Sequence, residues 1–247
     1  MYQFCMDKGK WGNGRGIKIA HIDSGINEWH PHIGKVAGGI AFEVTDQGKI
    51  VLEESFQDGL GHGTAVAGVI KEQVPEAELW AVKIFHERLT TYIEVLCVAI
   101  EWCIEQKMDI INLSLGVNQD IAAFRHICEQ ANEAGIFIVS ACDEQNGLYW
   151  PGYYPSIYAV RSAKHGRSGV FHFSPDEPIA FQTVGVPRSL EGPLQKFNYQ
   201  GHSFAAAHVT GMMAKVKEKY SEIKTVSEMN QLFIKLSEQQ TVHQKSI

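Results

Sequence analysis

Gly201-His202-Ser203-Phe204-Ala205-Ala206-Ala207-His208-Val209-Thr210-Gly211 crowds small residues around one serine, and good helix formers continue it through Met212, Met213, Ala214 and Lys215 to Lys219. This pattern places Ser203 in the first turn of a buried helix. There the unpaired backbone N–H groups and the positive end of the helix dipole face any negative charge that develops beside its hydroxyl. Small neighbours let another segment approach closely. Two earlier stretches share the glycine-rich setting at the edge of an apolar run: Ile22-Asp23-Ser24-Gly25 and Gly61-His62-Gly63-Thr64-Ala65-Val66-Ala67-Gly68. Acid, imidazole and hydroxyl therefore occur in the order Asp23, His62, Ser203. Each alone suits a turn aspartate, a helix-start histidine or a helix-start serine; together they read as an acid–base–nucleophile set.

The rest of the chain alternates strand and helix around these stretches. Ile17-Lys18-Ile19-Ala20-His21-Ile22 reads as a strand ending at Asp23, and a parallel sheet places its chemistry at the carboxyl ends of strands. Gly12-Asn13-Gly14-Arg15-Gly16 precedes that strand instead of following one, so it is not a dinucleotide loop. Residues 27–58 read as loop and hairpin, with His30 and His32 flanking Pro31 on a surface loop and no further ligand cluster accompanying them. A helix runs from His62 to about Lys71, and Leu79 to Phe85 is the next strand. Thr90 or Thr91 caps a helix through Gln106, with Ile93, Leu96, Cys97, Ile100 and Ile104 at helical spacing. Asp109 to Leu115 is a buried strand, Asp120 caps a helix to Ala134 that ends at Gly135, and Ile136 to Ala141 is another buried strand. After Val160 the pattern turns mostly β until the Ser203 helix and a last amphipathic helix from about Val226 to Leu236. This implies an α/β fold: a mostly parallel sheet with helices on both faces. No repeat or linker interrupts it, so one domain is expected over 1–247, with flexible or partner-binding ends at 1–10 and 239–247.

Composition narrows the function. The 247 residues are 45% hydrophobic and 20% charged, enough for a sizeable core. A net charge of −6 and a pI near 6.0 argue against a nucleic-acid partner. No apolar run approaches the roughly 18 residues of a membrane span, and the start of the chain lacks the layout of a signal peptide. The five cysteines, Cys5, Cys97, Cys103, Cys128 and Cys142, are odd in number and scattered. They read as thiols in a reducing compartment, which makes the cytoplasm the expected location.

The Asp23, His62 and Ser203 stretches resemble the three motifs of the subtilisin-like serine proteases (subtilases), in that family's order. The likeness runs from about Gly16 to Gly211 and includes Ile111-Asn112-Leu113-Ser114-Leu115-Gly116 and Tyr149-Trp150-Pro151-Gly152-Tyr153-Tyr154-Pro155-Ser156. It implies a three-layer subtilisin-like fold and peptide-bond hydrolysis through an acyl-enzyme. In that scheme Ser203 is the nucleophile, His62 the general base, and Asp23 holds the His62 tautomer and stabilises the imidazolium. The Ser203 backbone N–H is one oxyanion donor. Leu113, Ser114, Leu115 and Gly116 match the edge against which subtilases pair an extended peptide. Val117, where the family usually has a second glycine, should narrow the cleft for a side chain upstream of the scissile bond. Tyr149 falls near the floor of the pocket for the residue preceding that bond, and should restrict it to small side chains. A lipase-type elbow around Ser203 is not expected, because no aspartate follows it and the remaining stretch is too short to complete such a fold.

Departures from the family pattern shape the expectation. Asp143 stands where subtilases carry the oxyanion asparagine, and an ionised carboxylate there would repel the oxyanion. Asp143 is expected to donate only if burial keeps it protonated, with Asn146 as the alternative donor. His202 replaces the usual threonine and Ala207 the usual proline, and His208 is expected to pack within the serine helix. Residues 71–78 are too short for the family's calcium loop, so no metal or other cofactor is expected. The stretch before Gly16 is too short for the propeptide of secreted subtilases. The expectation is an intracellular serine endopeptidase acting on a restricted peptide, such as the leader of a ribosomally made peptide. The alternative is a catalytically weak or inactive peptide-binding protein on the same fold. A metal-dependent hydrolase using His30, His32 and Asp23 is a distant third.

Overall fold

Strand β2 (Lys18–Asp23) shows how the sheet is covered. Its Ile19 packs in one apolar cluster, and Ala20 and Ile22 pack in another on the opposite face, as the two-residue period of a strand requires. The computed structural model describes residues 1–6, 11–164, 166–188, 190 and 198–244. Before the first helix lie β1 (Tyr2–Cys5), β2, β3 (Gly38–Val44) and β4 (Ile50–Glu53). There follow α1 (His62–Gln73), β5 (Glu78–Lys83), α2 (Ile93–Glu105), β6 (Ile110–Leu113), α3 (Ala122–Glu133) and β7 (Phe137–Ala141). The last elements are β8 (Ile157–Ala163), β9 (Val170–Phe173), β10 (Phe181–Val184), α4 (His202–Lys219) and α5 (Val226–Gln244).

These strands form one sheet in the order β1-β9-β10-β8-β7-β6-β2-β5-β3-β4. From β10 to β3 neighbouring strands are parallel, and the antiparallel pairs lie at the two edges. Helices α1, α4 and α5 cover one face through Val66, Val69, Val209, Met212 and Phe233. Helices α2 and α3 cover the other through Leu96, Ile100, Phe124 and Ile127. The fold is α/β, with helices on both faces of a mostly parallel sheet. The chain builds β5, β3 and β4 on one side of β2, then crosses to β6, β7 and β8 on the other. That reversal leaves a crevice at the carboxyl ends of β2 and β6, where Asp23 and Ser114 lie.

Several expectations change. Asp120 does not cap α3; the helix starts at Ala122 with Ile121 as its cap, while the Asp120 carboxylate pairs with Arg125 and accepts the Tyr154 hydroxyl at 3.0 Å. Helix α2 likewise starts from Tyr92 with no side-chain cap, past Thr90 and Thr91. The expected loose start of the chain is a strand: β1 pairs with β9, and Phe4 stacks on Phe171 at 5.7 Å and Phe233 at 5.6 Å. At the other end α5 continues to Gln244, well past Leu236. The parts of those expected ends at 7–10 and 245–247 lie outside the described residues.

Candidate active site

Asp23 closes β2 with its side chain fully buried, and His62 opens α1. Two glycines bring them together. Gly61 turns into the helix at φ +79°, a left-handed conformation that side chains disfavour. At Gly63 a Cβ would stand 2.2 Å from the Gly25 carbonyl oxygen, so only glycine lets α1 start against the Asp23 turn. His62 Nδ1 donates to Asp23 Oδ1 at 2.8 Å, and that oxygen also accepts the Ser24 N–H at 2.7 Å. This bond fixes the tautomer and leaves Nε2 as the proton-accepting edge of a ring that is 23% exposed. Burial alone would lower the His62 pKa; the hydrogen bond and charge of Asp23, with the charge of Asp58, outweigh it and hold the pKa above its ordinary value.

Asp58 was missed in the sequence and proves central. Its Oδ1 accepts from Ser24 Oγ and from the N–H groups of Leu60 and Gly61, each at 2.9 Å. Its Oδ2 accepts from Thr64 N at 2.8 Å and Thr64 Oγ1 at 2.6 Å. Ser24 Oγ in turn accepts the Gly63 N–H at 2.9 Å. One carboxylate thus ties the Asp23 turn to the first turn of α1 on both sides of His62. Burial would raise its pKa, but the hydrogen bonds from Thr64, Gly61 and Ser24 hold it below the usual carboxylate value. The available signal was an acidic residue just ahead of a helix start.

Ser203 is the second residue of α4, so its N–H belongs to the unpaired first turn. Its hydroxyl donates to the Ser114 carbonyl at 3.3 Å, and the ring of the next residue, Phe204, stands 6.3 Å from that of His62. His208 packs inward as expected, donating from Nε2 to the Val186 carbonyl at 2.9 Å while Nδ1 accepts from Gln73 at 3.2 Å.

Asp143 does not meet the condition for donating to an oxyanion. Its Oδ2 accepts the Asn146 amide at 2.6 Å and Oδ1 accepts the Asn146 N–H at 3.2 Å. The Asn146 side-chain bond, more than any other contact, holds its pKa below the ordinary value, against the opposing effect of burial. An ionised Asp143 accepts hydrogen bonds and donates none, and Asn146 Nδ2 is engaged with it. His202 Nδ1 accepts the Ser162 N–H at 2.9 Å, so its other nitrogen carries the proton, 3.8 Å from Asp143 Oδ1.

The presumed peptide edge is partly occupied by the chain itself. Val117 donates to the Trp150 carbonyl at 2.7 Å, and its own carbonyl accepts from Tyr149 and Trp150 at 3.2 Å. Leu148 lies so close to Gly116 that a Cβ there would meet its Cβ at 2.9 Å. Tyr149 packs its ring with Trp150 and Tyr153, at 5.7 and 5.2 Å. Leu113 is buried at the end of β6, and the Leu115 carbonyl accepts from Ser140 Oγ at 3.2 Å.

The short connection after α1 does not fit a cation. The buried Lys71 ammonium donates to the carbonyls of Pro75 at 2.8 Å and Ala77 at 3.3 Å, taking up oxygens that a metal would need. His30 and His32 lie 5.0 Å apart, and the Arg188 guanidinium sits against His32. Among the described residues no group of three or more His, Cys, Asp or Glu side chains could hold a metal ion.

Comparison with known proteins gives a family. The sequence model of the subtilase family matches residues 14–245. The chain is 32% identical to the thermostable alkaline protease of Halalkalibacterium halodurans over 231 residues, covering 88% of this chain and 61% of the relative. It is 29% identical to subtilisin E of Bacillus subtilis, covering 84% of this chain and 57% of the relative. The chain thus spans about three-fifths of the length of these relatives. An intracellular serine protease of Paenibacillus polymyxa is 28% identical, with 83% of this chain and 68% of that protein covered. The fold is similar to that of a lanthipeptide protease of known structure, with a TM-score of 0.65 and 21% identity over 85% of this chain and 76% of that one.

Proposed function

The chain belongs to the subtilase family, and from that premise we propose that it is a serine peptidase whose catalytic set is Asp23, His62 and Ser203. The observation that carries this reading is the 2.8 Å bond from His62 Nδ1 to a fully buried Asp23, which leaves Nε2 unprotonated as a base. Ser203 turns its hydroxyl from the Ser114 carbonyl to that nitrogen and attacks the scissile carbonyl as His62 takes the proton. The Ser203 N–H, in the first turn of α4, faces the oxyanion. His62 then gives its proton to the leaving amine, and water completes the cycle on the acyl-enzyme. Asp23 stays ionised and holds the imidazolium.

The peptide pairs along Leu115 and Gly116, because the backbone of Val117 is committed to Trp150. With Leu148 against Gly116 and Tyr149 among aromatic rings, the cleft favours small residues beside the scissile bond. A cytoplasmic location is part of this reading, supported by the scattered cysteines of the sequence and by the intracellular serine protease among the similar proteins. No metal takes part. A restricted substrate, such as the leader of a ribosomally made peptide, suits this narrow cleft and a single domain, and a lanthipeptide protease shares the fold.

One observation favours a second reading, a weak or inactive peptide-binding protein: Asp143, which the family likeness sets in the place of the oxyanion asparagine, is a carboxylate that accepts from Asn146. Labelling with a fluorophosphonate, beside Ser203→Ala, separates the two. Labelling that requires Ser203 supports the peptidase, and a peptide library then identifies the cleavage site. A wild type that resists the reagent as fully as the alanine variant leaves the binding reading.

A further inference from the structure

His21 lies two residues before Asp23 on β2, on the same face of the strand, and is fully buried in a run that is otherwise apolar apart from its ends. In the sheet it stands opposite Asn112 of β6. A single assignment of protons satisfies its whole surroundings. Thr210 of α4 donates its hydroxyl to Asn112 Oδ1 at 2.9 Å. Asn112 Nδ2 donates to His21 Nδ1 at 3.1 Å and to Ser114 Oγ at 3.0 Å. His21 Nε2–H donates to the Gly63 carbonyl at 3.0 Å. The imidazole is therefore neutral, the state that burial favours, against the pull of Asp23.

The same Nε2 stands 3.8 Å from Asp23 Oδ2, a buried carboxylate oxygen with no hydrogen-bond partner among the described residues. A bare buried oxygen of this kind is stabilised by any polarised N–H close to it. Gly63, which His21 holds, is bonded to His62. The chain of contacts thus runs from the serine-bearing helix, through Asn112, to the backbone beside the base and to the far side of the acid.

We propose that His21 is a positioning residue for the Asp23–His62 pair: it pins the start of α1 through Gly63, sets an N–H against the unpaired oxygen of Asp23, and joins both to α4 through Asn112 and Thr210. This rests on the peptidase reading above. The charged or titratable groups facing His21 are Asp23, His62 and Asp58. When His62 takes up a proton, Asp23 must stay fixed beside it, and His21 is what braces its outer oxygen.

The test uses His21→Val and Thr210→Ala on a small ester substrate, with active sites counted by fluorophosphonate so that kcat refers to competent enzyme only. His21→Val is expected to lower kcat about tenfold to a hundredfold with KM unchanged, the scale of a small misplacement transmitted to the reacting groups. It also moves the acid limb of kcat/KM to lower pH, because a loosened Asp23 supports the His62 imidazolium less. Thr210→Ala, which cuts the far end of the chain, shifts both in the same direction by less. A purely structural role would reduce the number of active sites and leave the titrated kcat and the acid limb at their wild-type values; that result overturns the inference. If His21→Val does not fold, Thr210→Ala decides by the same criteria. A wild type that Ser203 does not label sinks the peptidase reading, and this inference with it, whereas a labelled wild type with unaltered variants sinks this inference alone.

Discussion

Asp23 and Asp143 are each followed in space by a histidine, and the two pairs differ in nearly every physical respect. Asp23 is fully buried and 2.8 Å from His62. Asp143 is a quarter exposed, 3.8 Å from His202, and turned toward Asn146. The first pair is built from a strand end and a helix start, braced by Asp58 on one side and His21 on the other. The second hangs on a loop that folds back on itself, with Asp143 and Leu148 hydrogen-bonded to each other. A buried, braced carboxylate orients a base. One that is turned to its own loop and stands farther from its histidine orients nothing.

Breaking the first pair should have the largest effect. Asp23→Asn removes the charge and turns one of the two acceptor oxygens into a donor, so the His62 tautomer is no longer fixed, and kcat on a small ester should fall about 10⁴-fold with KM little changed. A loss below tenfold would mean that the pair does not serve the reaction. Repairing the second pair comes next. Asp143→Asn exchanges a repelling carboxylate for an amide donor, and turnover on the same ester should rise, by up to about 10²-fold. Unchanged or lower turnover would remove Asp143 from the oxyanion site.

Loosening the brace is a smaller step. Asp58→Asn leaves N–H groups of the α1 start without an ionised acceptor, at a cost of about 1–3 kcal/mol read from urea unfolding. Because the folded-state pKa of Asp58 lies below its unfolded value, its stabilisation is complete above about pH 3.9 and is lost as pH falls through the folded pKa. The variant should therefore lose less stability than the wild type on acidification, and parallel acid titrations would contradict this. The smallest effect concerns His208, whose pKa burial lowers. Below about pH 6.5 the unfolded chain takes up that proton before the folded one, so stability falls with pH. His208→Gln should flatten the pH 5–7 part of the unfolding profile, and an unaltered slope would show that His208 titrates alike in both states.

The same contrast explains what the sequence revealed. Asp23, His62 and Ser203 were singled out by glycine-rich stretches at the edges of apolar runs and given their roles by the likeness to the subtilase motifs; the structure sets them at a strand's carboxyl end and two helix starts. The parallel sheet was legible from the alternation of strand and helix. Whether Asp143 could donate hung on burial, and the sequence did not show that Asn146, three residues on, meets its carboxylate across a tight turn and holds its pKa down; loop closure of that kind leaves no periodic signal. Asp120 looked like a helix cap, and the competing pull of Arg125 and Tyr154 took it away. Tyr2–Cys5 looked like a loose end because its alternation is short, yet Phe4 finds a place between Phe171 and Phe233. Asp58 and His21 were passed over because their value lies in partners distant in sequence or across the sheet.

The central claim is that Ser203 is activated by a histidine whose pKa the buried Asp23 holds up. The direct measurement is the rate of fluorophosphonate labelling of the wild type and of Ser203→Ala from pH 5 to 9. Labelling that depends on Ser203 and falls away on the acid side, with a midpoint above the ordinary histidine value of about 6.5, is the predicted result. Labelling that survives Ser203→Ala, that fails at every pH, or that shows no acid limb would contradict it.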